Sequence, residues 1–155
     1  MRIHLICVGS KMPRWVEEGY DEYARRLPPE CSLQLHEVPL GKRTASADSA
    51  RLIAREGEKM VAAIPRGALP IALDRGGKSW STEALAEQLR GWLQAGHDLC
   101  LLVGGPEGLA PQALAASRER WSLSALTLPH PLVRVVVAEQ LYRAWSLLNN
   151  HPYHR

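Results

Sequence analysis

Hydrophobic and polar positions follow two periods along this chain, and the switches between them mark its elements. The run RIHLICVG is apolar and closes on Gly9, which predicts a first strand. WVEEGYDEYARRL then sets Trp15, Tyr23 and Leu27 among charges at helical spacing, and Pro28-Pro29 predicts the stop. SLQLHEV alternates and predicts a second strand, followed by a polar loop, PLGKRTAS, from Pro39 to Ser46. Asp48 stands where it can cap a helix running to about Ala63. LPIALD predicts a third strand, RGGKSW a turn, and Ser81 or Thr82 the cap of a helix to about Ala95. DLCLLVGG is the clearest buried strand, Pro111 to Ser117 a short helix, and WSLSAL a fifth strand.

The last segment departs from this pattern. SALTLPHPLVR leads into VVVAEQLYRAWSLL, which is apolar on nearly every side, whereas a surface helix shows one apolar stripe. Something must cover it. Pro131 suits a first helical turn because it lacks an N–H. No Ser, Thr, Asp or Asn directly precedes it as a cap, so the next amides are left for a ligand or a partner. Strands alternating with helices predict an α/β fold, a mostly parallel sheet with helices on both faces. Ligands of such sheets lie at the carboxyl ends of the strands. That rule selects three places: Leu73 onward, Gly104 onward, and the Ser124–Pro129 loop.

Composition narrows the function less than the pattern does. A chain of 155 residues suits a single domain, 1–155. Its net charge of +3 is too mild to establish nucleic-acid binding by bulk charge. Lysine occurs only at Lys11, Lys42, Lys59 and Lys78, so arginine, whose planar fork suits phosphates and carboxylates, supplies most cations. An arginine-rich composition alone would give the same bias. Cys7, Cys31 and Cys100 lie in or beside apolar runs without metal spacing, which predicts buried thiols in a reducing cytosol and no metal. Residues 132–148 raise a membrane question that Arg134, Glu139 and Arg143 answer. A central arginine costs about 2.5–3.5 kcal/mol on insertion, and the stretch is short for a span.

Three motifs carry chemistry. VGGPEGL, Val103 to Leu109, combines glycines that let a ligand approach the backbone, and an ordinary strand-to-helix turn reads the same way. It is neither a P-loop nor a GxGxxG fingerprint. Arg134, set among valines, needs a partner, either a carboxylate or an anionic ligand. The tail NNHPYHR gathers His154, Tyr153 and Arg155, groups able to move protons and stack on bases, although chain ends are commonly disordered.

In order, MPRWVEEGYDEYARRLP, the GKR loop, IALDRGGK, LLVGGPEGL and WSLSALTLPHPLVRVVVAEQLYRAWSLLNNHPYHR resemble the RlmH family, small SPOUT-class methyltransferases. The likeness spans essentially the whole chain. It implies a C-terminal trefoil knot, a cytoplasmic homodimer and S-adenosylmethionine (S-adenosyl-L-methionine) as cofactor. It also implies methylation of N3 of a pseudouridine in bacterial 23S rRNA, on the assembled 70S ribosome, with no membrane and no DNA as partner. Residue by residue, Leu73, Gly104, Leu123, Ser124, Ala125, Leu126, Thr127 and Leu128 map onto the family's cofactor pocket, with Gly105 and Gly108 letting the chain pass close. The catalytic expectation is that His154, or a water it holds, accepts the N3 proton, while Arg134, Arg143 or Arg155 stabilises the anionic base. Glu139 would orient Arg143, and Tyr153 would stack on the base. RNA contacts are expected from both subunits, through Arg25, Arg26, Lys42 and Arg43. Two rival readings are a non-catalytic ribosome assembly factor and a phosphate-ester enzyme using GGPEG as an anion site. The second lacks a metal-ligand cluster and a nucleophile–base pair.

Overall fold

The computed structural model describes residues 1–44 and 48–154. Five strands, β1 (Arg2–Val8), β2 (Ser32–Val38), β3 (Leu69–Ser79), β4 (Leu99–Val103) and β5 (Glu119–Ser122), form one sheet ordered β2-β1-β4-β3-β5. Every pairing is parallel, as the strand–helix alternation predicts. β4 lies at the centre with all five residues buried, which is why its sequence is an unbroken apolar run. The helices are α1 (Arg14–Ala24), α2 (Ser49–Ala63), α3 (Thr82–Ala95), α4 (Pro111–Ala116) and α5 (His130–Leu148). α5 packs against both α1 and α3 on one face of the sheet, while α2 and α4 pack together on the other. Among the described residues, no helix is long and apolar enough to cross a membrane.

Local chemistry sets most boundaries. The Asp48 carboxylate accepts from the Arg51 amide and starts α2. The Ser81 hydroxyl accepts from the Ala84 amide at 3.0 Å and starts α3, which stops on Gly96 at φ +75°. All three cysteines are buried, and burial pushes the Cys7 and Cys100 thiols up to about 12, so they are core filling.

The fold settles one helix face and corrects two expectations. In α1 the buried residues are Val16 and Tyr20, whereas Trp15 is 57% exposed. The face is chosen by α5, whose Val135 side chain sits close to Gly19. RGGKS is no separate turn, because β3 runs to Ser79 with a bulge between Leu73 and Lys78, and both of those residues pair with Trp121. Gly77 permits this, since a Cβ there would lie 2.5 Å from the Arg120 backbone. The fifth strand begins at Glu119 and ends at Ser122, so Leu123 to Leu126 leave the sheet as loop.

Candidate functional site

Parallel strands end on the same side of a sheet, and at the ends of β3, β4 and β5 a cavity of about 560 Å³ opens. That volume suits a small-molecule ligand. β3 supplies Leu73, Asp74 and Arg75, and the turn after β4 supplies Gly104 to Leu109. The segment after β5 supplies Leu123, Ser124 and Leu126 to Pro129, and α5 adds His130 and Val133.

Each wall has a local cause. The turn after β4 folds back on itself: Gly105 bridges Gly108, whose amide donates to the Gly105 carbonyl at 2.9 Å. A Cβ on Gly104 would lie 2.3 Å from the Gly108 carbonyl carbon, so only glycine fits there. After β5, the Ser124 hydroxyl accepts from the Leu126 amide at 2.9 Å, and Leu126 is left 74% exposed. Arg75 donates to the Thr127 hydroxyl and ties the exit of β3 to this loop. α5 then opens on Pro129 and His130 with no side-chain cap, so the positive end of its dipole stands open beside the cavity. Burial, then the nearby Arg134 cation, hold the His130 imidazole below the usual histidine range, and its Nδ1 is buried without a partner.

A second polar cluster sits further along α5. Asn150 adopts a left-handed φ of +52°, and the His151 amide donates to the Ser146 carbonyl at 2.8 Å, so the tail turns back along the helix. Tyr153 Oη then donates to Glu139 Oε1 at 2.9 Å, and Arg143 Nε donates to the same oxygen at 2.8 Å. The Tyr153 ring packs 4.6 Å from that of Tyr142, and the guanidiniums of Arg26 and Arg143 lie within 6 Å of it. Burial and Glu139 raise the Tyr153 hydroxyl above its usual range, so it stays a donor at neutral pH. His154 closes the short 3₁₀ turn Pro152–His154, with its Nδ1 buried and without a partner among the described residues.

The structure therefore divides the expected residues. Leu73, Gly104, Gly105, Gly108, Leu123, Ser124, Leu126, Thr127 and Leu128 all line the cavity, whereas Ala125 is exposed and off its wall. Glu139, Arg143, Tyr153 and His154 belong to the tail cluster. Arg134 belongs to neither. It is 1% exposed and donates to Glu37 at 2.7 Å and to the Gly9 carbonyl at 2.9 Å, clamping α5 to the ends of β1 and β2. Its partner is thus the carboxylate alternative. Arg155 lies outside the described residues. Of the basic candidates, Lys42 is exposed, Arg25 and Arg26 share Glu22, and Arg43 is committed to Glu56 and Glu107. Sequence reasoning passed over Asp74, Arg75, Glu107 and His130, although Asp74, Glu107 and His130 each adjoin a position that it selected. The cavity's leucine walls suit an apolar ring system. Its Asp74 suits a ligand carrying positive charge, whereas Glu107 is already paired with Arg43.

Known proteins place this geometry in context. A family model described as a predicted SPOUT methyltransferase matches residues 1–154. Two curated proteins named ribosomal RNA large subunit methyltransferase H, from Methylococcus capsulatus and Azotobacter vinelandii, are each 59% identical over 155 residues, covering 100% of both chains. The fold also matches a probable methylase family protein from Haemophilus influenzae, at TM-score 0.56 and 17% identity, over 99% of this chain and 70% of that one. A putative methyltransferase from Legionella pneumophila, solved with its cofactor SAM bound, matches at TM-score 0.52 and 12% identity, over 93% of this chain and 66% of that one.

Proposed function

This chain belongs to the SPOUT methyltransferase family, and we propose that it methylates N3 of a pseudouridine in 23S rRNA, on assembled ribosomes in the cytoplasm. It acts as a homodimer with the family's knotted C-terminal segment. The observation that carries this reading is the cavity at the carboxyl ends of β3, β4 and β5, in a chain 59% identical end to end to large-subunit rRNA methyltransferases.

The residues present suit S-adenosylmethionine. Leu73, Leu109, Leu123 and Leu128 give an apolar enclosure for a purine, and the Gly104 turn admits close backbone approach. The uncapped start of α5 offers amides, and Asp74 complements a ligand bearing a sulfonium and an ammonium. When bound, the cofactor supplies an electrophilic methyl group. All else falls to positioning and to the proton on N3, since that nitrogen is a poor nucleophile until it is deprotonated.

The tail cluster supplies that second half. His154 accepts the N3 proton, directly or through water, and Arg143 stabilises the charge left on the base. Glu139 orients Arg143 by the 2.8 Å bond and fixes Tyr153, whose ring packs the base. Arg134 contributes from the interior by holding α5 in register with the sheet. Within one chain the halves are apart: Glu139 is nine residues beyond His130, about 14 Å along the helix axis. A two-fold dimer brings the tail of one chain to the cavity of the other. Arg25, Arg26 and Lys42 contact rRNA phosphate, so activity falls with salt.

Incubation with labelled cofactor and whole ribosomes, isolated large subunits or free RNA, followed by mapping of the methylated base, tests the reading. Label at N3 of one 23S pseudouridine, greatest on whole ribosomes, is the expected result. Calorimetry showing no cofactor binding would instead favour the non-catalytic assembly factor.

A further inference from the structure

Arg43 lies in the loop between β2 and α2, and its guanidinium spends every N–H it has. Nε and Nη2 donate to the two carboxylate oxygens of Glu107, at 3.1 and 2.8 Å. Nη2 also donates to Glu56 Oε1 at 3.0 Å, while Nη1 donates to Glu56 Oε2 and, at 2.8 Å, to the Gly41 carbonyl. These are all five donors of the side chain. None is left for a phosphate, which removes Arg43 from the RNA contacts expected of it.

The two carboxylates differ in what else holds them. Glu56 is fixed by the fold: its side chain is 7% exposed, it accepts from the Gly41 amide at 2.9 Å, and it sits on α2. The neighbouring Gly57 lies so close to Ala110 that a Cβ would come within 2.5 Å of it. Glu107 is half-exposed, projects from the glycine turn after β4, and lines the cavity. The ion pair with Arg43 holds its carboxyl below the usual range. The chain Glu56–Arg43–Glu107 thus ties the glycine-rich turn after β4 to α2.

The geometry points to Arg43 as a positioning residue for methyl-donor binding: anchored on Glu56, it holds Glu107, and through it the Gly104–Gly108 turn, in the shape that receives the donor. The inference rests on the donor reading above. An exposed ion pair adds little to global stability, so its effect is local. Without it the turn would have to be ordered at the moment of binding, at the expense of affinity.

The test uses Glu107→Gln, which leaves the buried Arg43–Glu56 pair intact, and Arg43→Lys, which keeps a cation for Glu56 but loses the fork. Amide hydrogen exchange from Gly105 to Leu109 in the donor-free protein reads the turn, and calorimetry with S-adenosylmethionine reads its consequence. Both variants are expected to speed that exchange and to weaken donor binding about tenfold, with the KM for donor rising more than kcat falls. Glu107→Asp, keeping the charge, is expected to recover part of the affinity. Unchanged exchange in both variants would overturn the proposal. Faster exchange with wild-type donor affinity would overturn the positioning role. Weaker binding in Glu107→Gln but not in Arg43→Lys would mean that Glu107 touches the donor unaided, and would also overturn it. A wild-type protein that binds no donor refutes the donor reading first, and the proposal with it.

Discussion

The two ends of α5 are built on opposite plans. At its start, around Pro129 and His130, the helix has no side-chain cap and Leu126 is exposed. Toward its end, Glu139, Arg143 and Tyr153 share one carboxylate oxygen under a pile of aromatic rings. The first end leaves its helix amides uncapped, while the second ties Arg143 and Tyr153 to Glu139. On the proposed reading a methyl donor completes the first, and the second presents His154 to the base.

Substitutions at the two ends should therefore fail in different ways. The largest effect is expected from His154→Ala, with kcat falling about 10²–10⁴-fold and donor affinity unchanged, read by single-turnover kinetics beside calorimetry. Equal losses in both quantities would show that the tail is part of the donor pocket. Gly104→Ala comes next and should show the reverse. Its methyl meets the Gly108 carbonyl, so the turn must open at about 1–3 kcal/mol, with donor affinity down tenfold or more and kcat less affected. Tyr153→Phe keeps the ring contacts and deletes one hydrogen bond to Glu139, so a loss of roughly fivefold in kcat is expected, with melting little changed.

The smallest effect is on pH-dependent stability. Burial, then His4, holds His36 below the usual histidine range, and burial and Arg134 do the same for His130. Both groups bind protons more readily when unfolded, so stability is complete above the ordinary histidine value and declines as pH falls below it. His36 Nε2 lies 3.0 Å from His4 Nδ1, and His4 Nε2 in turn lies 3.3 Å from Asp98. Melting midpoints between pH 7.5 and 5 should decline, and less so in His36→Asn.

Much of this was legible because it is local. An unbroken apolar run such as Leu99 to Val103 has one stable place in an α/β sheet, its centre. The absence of a cap before Pro131 is visible in the sequence, and so is the cavity's glycine turn. What escaped reading depends on approach between distant residues. Arg134 finds Glu37 across 97 positions, and Arg43 finds Glu107 across 64. No periodicity encodes such pairs. Helical spacing fixes the buried face of α1 only up to rotation, and Val135 against Gly19 sets that rotation, leaving Trp15 exposed. β3 runs on through RGGKS because Gly77 lies flat on the Arg120 backbone, a contact known only after β5 is in place.

The central claim is that cavity and tail cooperate only across the dimer. Co-expressing Gly104→Ala and His154→Ala chains, assayed at a donor concentration well below the Gly104→Ala KM, tests it directly, since each variant alone is then impaired at a different half. If the halves come from different chains, a mixed dimer holds one wholly intact site, and random pairing restores about a quarter of wild-type methylation. If each chain works alone, the mixture shows no more than the average of the two variants, and the account is wrong.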